Sequence, residues 1–229
     1  MKNKTVFIAC DSSNLNQINK ILVNIKTNKL KILPKFGLQF FYSRNGRKFL
    51  EKYESNFWLD LKINDIPQTA VSAVDSLKDL KNCKYITVHA NGGLEMLKAV
   101  KKKTKQINKN LKVLGVTILT SLNKKSLKEI GYTKTVEQLV LKQASVVKKS
   151  GCDGVVCSAK EAKMIRKKYK DFLIITPGIR MPGDKLNDQA RVMTPKDAFN
   201  NKVSGIVIGR SITKGNIKNN IKKLIYHLN

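Results

Sequence analysis

The chain has 229 residues, 41% hydrophobic and 27% charged, a globular composition that excludes a disordered or fibrous protein. Lys and Arg total 45 against 16 Asp and Glu, a net charge of +29, which raises nucleic-acid or membrane-surface binding as a function. Arg occurs only six times, however, and Lys101-Lys102-Lys103 has no aromatic neighbour. Nucleic-acid sites favour Arg with interleaved aromatics. Lys, Asn and Ile are the residues that A/T-rich codons supply, so the charge reads as compositional drift on solvated helix faces, with a field that attracts a small polyanionic substrate. No nucleic-acid or membrane partner is expected.

The apolar run at 5–10 stops at Asp11 and is too short for a signal core, so it reads as a first strand. No segment reaches the ~18 apolar residues of a membrane helix. Cys10, Cys83, Cys152 and Cys157 have no CxxC spacing, and the histidines are only His89 and His227. Zinc sites and disulfides are therefore not expected, and four buried free thiols in a reducing cytoplasm are.

In chain order, apolar β-type runs lie at 5–10, 31–36, 57–61, 85–89, 113–119, 154–157, 173–176 and 205–208. Amphipathic helical stretches lie between and after them, at 14–25, 68–80, 94–106, 136–149, 159–168 and 217–227. Several of the strands lack polar alternation, as parallel strands covered by helices do. Eight such units predict an α/β fold, a (β/α)8 TIM barrel in one domain over 1–229, since single barrels run to about 200–250 residues. An open doubly wound sheet is the alternative. Polar residues gather just after the strands: Asp11, Lys35, Asp60 with Lys62, His89, Thr120-Ser121, Pro177-Gly178-Ile179-Arg180, and Gly209-Arg210. In a barrel these positions form the C-terminal face, where active sites lie.

The third run, Phe57-Trp58-Leu59-Asp60-Leu61-Lys62-Ile63, places charges inside an apolar strand. Alternation sends Trp58, Asp60 and Lys62 into the barrel and Leu59, Leu61 and Ile63 toward the helices. Asp60 and Lys62 then meet at the mouth, while Asp65 lies past the strand before Pro67 and reaches outward. Spacing alone leaves two readings open, a buried structural ion pair and a reactive one.

The segment Asp60-Leu61-Lys62-Ile63-Asn64-Asp65-Ile66-Pro67-Gln68-Thr69 resembles the DxKxxDIPxT motif of the orotidine 5′-phosphate decarboxylase family. Further landmarks fall in the family's order: Asp11, Lys35 with Gly37, Val88-His89-Ala90, Leu119-Thr120-Ser121, Asp153 to Ser158, Pro177 to Arg180, Asp188-Gln189, and Ile208-Gly209-Arg210. The resemblance covers nearly the whole chain. Cys10, Phe36, Asn64, Gln68 and Ala190 depart from common family residues, and Pro34 removes a strand N–H before Lys35.

The resemblance implies a metal- and cofactor-free decarboxylation of orotidine 5′-phosphate to UMP. It implies an alternating tetrad of Lys35, Asp60, Lys62 and Asp65, with Lys62 protonating C6 and Asp60 beside the departing carboxylate. Asp65 would come from the other subunit of a homodimer with shared sites, and Thr69 would assist across the dimer. Asp11 and Lys35 would meet the ribose, and Thr120 and Ser121 the pyrimidine. Gly209 and Arg210 would hold the phosphate, and Pro177, Arg180 and Gln189, also of the substrate-binding set, would bracket a phosphate-gripping lid spanning 181–188. Ile66 joins this substrate-binding set. His89 reads as an oriented mouth residue, Trp58 as core filling, Gly92-Gly93 as a turn, and Thr135 as a helix start.

Two alternatives stay open. Sugar-phosphate decarboxylases and aldolases of the same superfamily carry DxK too, and they usually require Mg²⁺. A basic nucleic-acid-binding barrel without activity would show oligonucleotide affinity falling steeply with salt.

Overall fold

Eight parallel strands close into a barrel in simple chain order: β1 (Thr5–Ala9), β2 (Lys31–Gly37), β3 (Phe57–Ile63), β4 (Cys83–His89), β5 (Lys112–Val116), β6 (Gly154–Val156), β7 (Leu173–Ile179) and β8 (Gly205–Ile208). The computed structural model describes residues 4–184 and 192–229. The expected (β/α)8 barrel is the fold, and the open sheet is not. Closure comes from β1 pairing with β8, Thr5 opposite Gly205 through Ile8 opposite Ile208.

Each strand leads to a helix on the outside. In order these are Leu15–Asn24, Gly46–Lys52, Pro67–Asp75, Gly93–Ile107, Val136–Lys149, Ala159–Lys168, Pro195–Asn200 and Ile217–Leu228. Five of these starts carry side-chain caps, from Asn14, Thr135, Ser158, Thr194 and Asn216. Asn14 accepts from the amides of Asn16 and Gln17, and Thr135 forms a capping box with Gln138. Gly46–Lys52 and Pro195–Asn200 escape sequence periodicity because they have only seven and six residues, less than two turns.

Strand ends differ from the apolar runs for reasons of pairing. The run at 113–119 ends as a strand at Val116, because its partner β6 has only three residues. β3 runs on to Ile63 because β4 continues beside it, with Ile63 opposite Val88. β7 runs through Pro177 and Gly178 to Ile179 by slipping register against β8, with Gly178 at φ 76. A positive φ is where glycine costs least.

Two cores result. The larger lies between strands and helices; there Phe36 packs against Phe40 and Phe57 with ring centroids 4.9 and 5.7 Å apart. Phe36 turned outward leaves Lys35 turned inward, so the bulky departure at 36 supports the orientation of its neighbour. The smaller core fills the barrel, where Phe7 meets Trp58 edge-on at 4.8 Å and Tyr85 at 5.3 Å. Burying each such ring contributes about 1.5–3 kcal/mol. Trp58 thus fills the interior, as its parity in β3 predicts. All four cysteines are free and buried, and burial raises the thiol pKa of Cys10 and Cys83 to about 12. Among the described residues, no helix is long and apolar enough to cross a membrane.

Candidate active site

The registers of β1, β2 and β3 decide which charges meet. Ala9 pairs with Lys35, and Gly37 with Asp60, so Asp11, Lys35 and Asp60 converge at the C-terminal mouth. Lys35 Nζ donates to Asp60 Oδ2 at 3.0 Å and lies 3.6 Å from Asp11 Oδ1. Lys62 Nζ reaches the same Asp60 Oδ2 at 2.9 Å. One carboxylate oxygen therefore takes two ammonium groups. Lys35 and Asp60 are buried, while the Lys62 side chain is one-third exposed toward the mouth. The packing is close at residue 37, where a Cβ would stand 2.7 Å from Asp11 Oδ1 and require that side chain to move.

A break in β3 produces this approach. Leu59 pairs with Ile86 and Ile63 with Val88, so Asp60, Leu61 and Lys62 all lie opposite Thr87. Lys62 takes φ 52, a left-handed conformation costing a lysine about 1–2 kcal/mol. Bulges and strained residues of this kind re-aim side chains at functional sites. The side-chain parity read from the sequence survives, since Leu61 and Ile63 still pack outward.

A cavity of about 380 Å³ opens beside the cluster. Asp11, Lys35, Asp60, Lys62, Thr120 and Ser121 line it. Thr120 and Ser121 sit in the loop beyond β5 rather than at its end. Pro177, Arg180, Gly209 and Arg210 line it as well. Arg180 is anchored through its own amide to the Met193 carbonyl at 3.1 Å. Gly209 begins the short helix Arg210–Thr213 without a side-chain cap. Two guanidinium groups and a helix start suit a phosphate. Gln189, most of the expected lid and the Asp188-Gln189 landmark lie outside the described residues.

Asp65, Ile66 and Thr69 do not join this cavity in their own chain. All three are exposed, and Asp65 Oδ1 accepts from the adjacent Ile66 amide at 2.7 Å. His89 is also apart; its Nδ1 accepts from the Asn91 amide at 3.4 Å and caps the turn Ala90–Gly92. Burial first, and then the Lys62 charge, lower its pKa, which favours neutral imidazole.

The sequence model of the orotidine 5′-phosphate decarboxylase / HUMPS family matches residues 4–223. The chain belongs to that family. It is 41% identical over 215 residues to an orotidine 5′-phosphate decarboxylase of Fusobacterium nucleatum, covering 92% of this chain and 89% of that one. It is 42% identical over 226 residues to one of Buchnera aphidicola, covering 96% and 92%. The crystal structure of orotidine 5′-phosphate decarboxylase from Lactobacillus acidophilus superposes with a TM-score of 0.83 at 33% identity, covering 98% of this chain and 99% of that one.

Within this member of the orotidine 5′-phosphate decarboxylase / HUMPS family, the electrostatics of the cluster are mutually reinforcing. Burial pushes the Asp60 carboxyl pKa up, but Lys35 and Lys62 outweigh it and hold the group well below the usual carboxylate range. Burial pushes Lys35 down, and Asp60 and Asp11 outweigh it in turn, leaving its pKa raised. Asp60 and Lys35 therefore stay charged near neutral pH. Sequence reading missed Thr87, which donates to Asp60 Oδ1 at 2.8 Å. The signal was available: Thr87 shares the inward parity of Tyr85 and His89 in β4. Sequence reading also missed Ser12 and Gln17, which line the cavity and bond to each other at 2.8 Å. Among the described residues, no three His, Cys, Asp or Glu side chains gather as a metal-ligand set.

Proposed function

We propose that the protein decarboxylates orotidine 5′-phosphate to UMP, the last step of de novo pyrimidine synthesis, without metal or cofactor. The observation that carries this reading is the Lys35–Asp60–Lys62 cluster, with two ammonium groups on one carboxylate oxygen, in a cavity also lined by Arg180 and Arg210. The chemistry needs this combination. When the C6 carboxylate leaves as CO₂, the bonding pair stays in an in-plane orbital at C6 that the ring delocalises poorly. A fixed cation pointed at that position stabilises the developing carbanion without reorganisation. Lys62 Nζ fills that role and then gives its proton to C6, taking another from solvent afterwards. Asp60 stands beside the departing carboxylate, and its neighbour Lys35 keeps it ionised. Asp11 and Lys35 receive the ribose, Thr120 and Ser121 the pyrimidine, and Gly209, Arg210, Pro177, Arg180 and Gln189 the phosphate. Phosphate binding far from C6 supplies free energy for assembling the reacting end.

The exposed placement of Asp65, Ile66 and Thr69 supports a homodimer in which each chain lends them to its partner's cavity. On this reading Asp65 completes the charged tetrad from across the interface. The enzyme acts in the cytoplasm on a small nucleotide, with no part for nucleic acid or membrane.

The test follows loss of the orotate chromophore with purified protein and orotidine 5′-phosphate, in excess EDTA, alongside Lys62→Ala. Wild type should turn over in EDTA, and Lys62→Ala should fall by roughly 10⁴-fold or more, the combined scale of a lost acid and a lost fixed charge. A folded wild type that is inert, or that EDTA silences, would sink the proposal and favour a Mg²⁺-dependent sugar-phosphate reaction.

A further inference from the structure

We propose that Thr87 is a positioning residue whose single hydroxyl fixes Asp60 and Lys62 together. The inference rests on the decarboxylase reading for its effect on rate, but its geometry stands independently. Thr87 lies on β4 between the outward-packed Ile86 and Val88 and is fully buried beneath the cavity. Its Oγ1 donates to Asp60 Oδ1 at 2.8 Å and accepts from the Lys62 backbone amide at 2.9 Å. The register break in β3 makes this possible, because Thr87 alone faces Asp60, Leu61 and Lys62.

The hydrogen-bond arithmetic gives the hydroxyl a specific role. Asp60 Oδ2 is taken by the ammonium groups of Lys35 and Lys62. Oδ1 takes the Thr87 hydrogen, so the carboxylate is held at both oxygens and cannot rotate about its last bond. The Lys62 amide, freed from the β4 ladder by the bulge, finds its acceptor in the same oxygen. Its left-handed backbone is thereby held with the ammonium aimed at the mouth. A methyl group in place of the hydroxyl would leave a buried carboxylate oxygen and an amide without partners. Asp60 is faced by Lys35 from β2, by Lys62 from its own strand and by Thr87 from β4, and Asp11 touches the group through Lys35.

The experiment compares Thr87→Val, which keeps the shape, with Thr87→Ser, which keeps the hydroxyl. Thr87→Val should lower kcat by about 10- to 100-fold, the scale of a displacement near 1 Å at a reacting centre. KM should change less than about 3-fold, because the phosphate-binding end is untouched, and Thr87→Ser should recover kcat to within about 3-fold of wild type. A second readout does not need turnover. The acid-unfolding midpoint of Thr87→Val should move to higher pH than wild type, and the move should be clearly smaller in the Asp60→Asn background, where only the loss at the Lys62 amide remains. If wild type is inert, the decarboxylase reading fails and this double-mutant cycle alone decides the positioning role. Equal kcat in Thr87→Val and wild type, equal losses in Val and Ser, or no coupling to Asp60 in the cycle would each overturn the proposal.

Discussion

Lys35 and Asp60, 25 residues apart in sequence, form a 3.0 Å ion pair under the barrel mouth, with both side chains about nine-tenths buried. A buried pair costs more to break than its net contribution to stability, because the survivor is left uncompensated. Lys35→Met should therefore lower stability by about 3 kcal/mol in chemical denaturation. Decarboxylation should fall by more than about 10²-fold, as Asp60 loses one of its two cations. Full activity in a stable Lys35→Met protein would mean that Lys62 alone suffices to hold Asp60.

Acid sensitivity follows from the same pair. Against burial, Lys35 and Lys62 draw the folded pKa of Asp60 below its ordinary value of 3.8. Its contribution to stability is then complete above that value and is lost as pH falls through the folded pKa. Lys35 is shifted the other way, up from 10.5, so its contribution is complete below that value and is lost as pH rises through the folded one. The stability difference between wild type and Asp60→Asn should stay constant from about pH 5 to 9 and move in favour of Asp60→Asn below about pH 4. Thermal melts of both proteins across this range check the sign, and a difference that changes between pH 6 and 8 would contradict it.

Residue 37 tests how tightly the cluster is packed. A methyl there would stand 2.7 Å from Asp11 Oδ1. The Asp11 side chain is half exposed and able to swing away. Gly37→Ala should thus cost little stability, within about 1 kcal/mol, since alanine is also the less flexible residue in the unfolded chain. It should nevertheless raise KM by about 10-fold, as Asp11 leaves its place beside Lys35 and the ribose loses an acceptor. Unchanged KM with lowered stability would mean that the strand yields rather than the carboxylate.

The proposal of a shared-site dimer makes a quantitative prediction. Lys62→Ala and Asp65→Asn should each be nearly inactive alone. Unfolded together and refolded at equal amounts, they should regain about one quarter of wild-type activity. Half of the symmetric dimers are then mixed, and each mixed dimer has one of its two sites intact. No recovery, with mixed dimers demonstrated by mass spectrometry, would place Asp65 in its own chain's chemistry or outside it altogether.

Much of the site was legible before folding because strand parity and barrel topology are local rules. Eight apolar runs broken by helical stretches point to a barrel or an open parallel sheet, and polar residues at the ends of those runs mark the C-terminal face in either. Parity in β3 separates Asp60 and Lys62 from Leu61 and Ile63, as the structure has it. The short helices Gly46–Lys52 and Pro195–Asn200 were not legible, because helices of fewer than two turns carry no periodic signal.

The sequence by itself put a (β/α)8 barrel ahead of an open sheet, set Trp58, Asp60 and Lys62 apart from Leu59, Leu61 and Ile63 in β3, and carried the family's charged landmarks. Each depends on periodicity and on spacing within a few residues. Tertiary structure alone decided the register break that sets Asp60, Leu61 and Lys62 against Thr87, the left-handed turn at Lys62, and the two ammonium groups on one oxygen of Asp60. Those features depend on how far one strand slides along another, a balance of ladder hydrogen bonds and side-chain packing between residues distant in the chain. Asp65, Ile66 and Thr69 are legible as a motif but stay exposed in the folded chain.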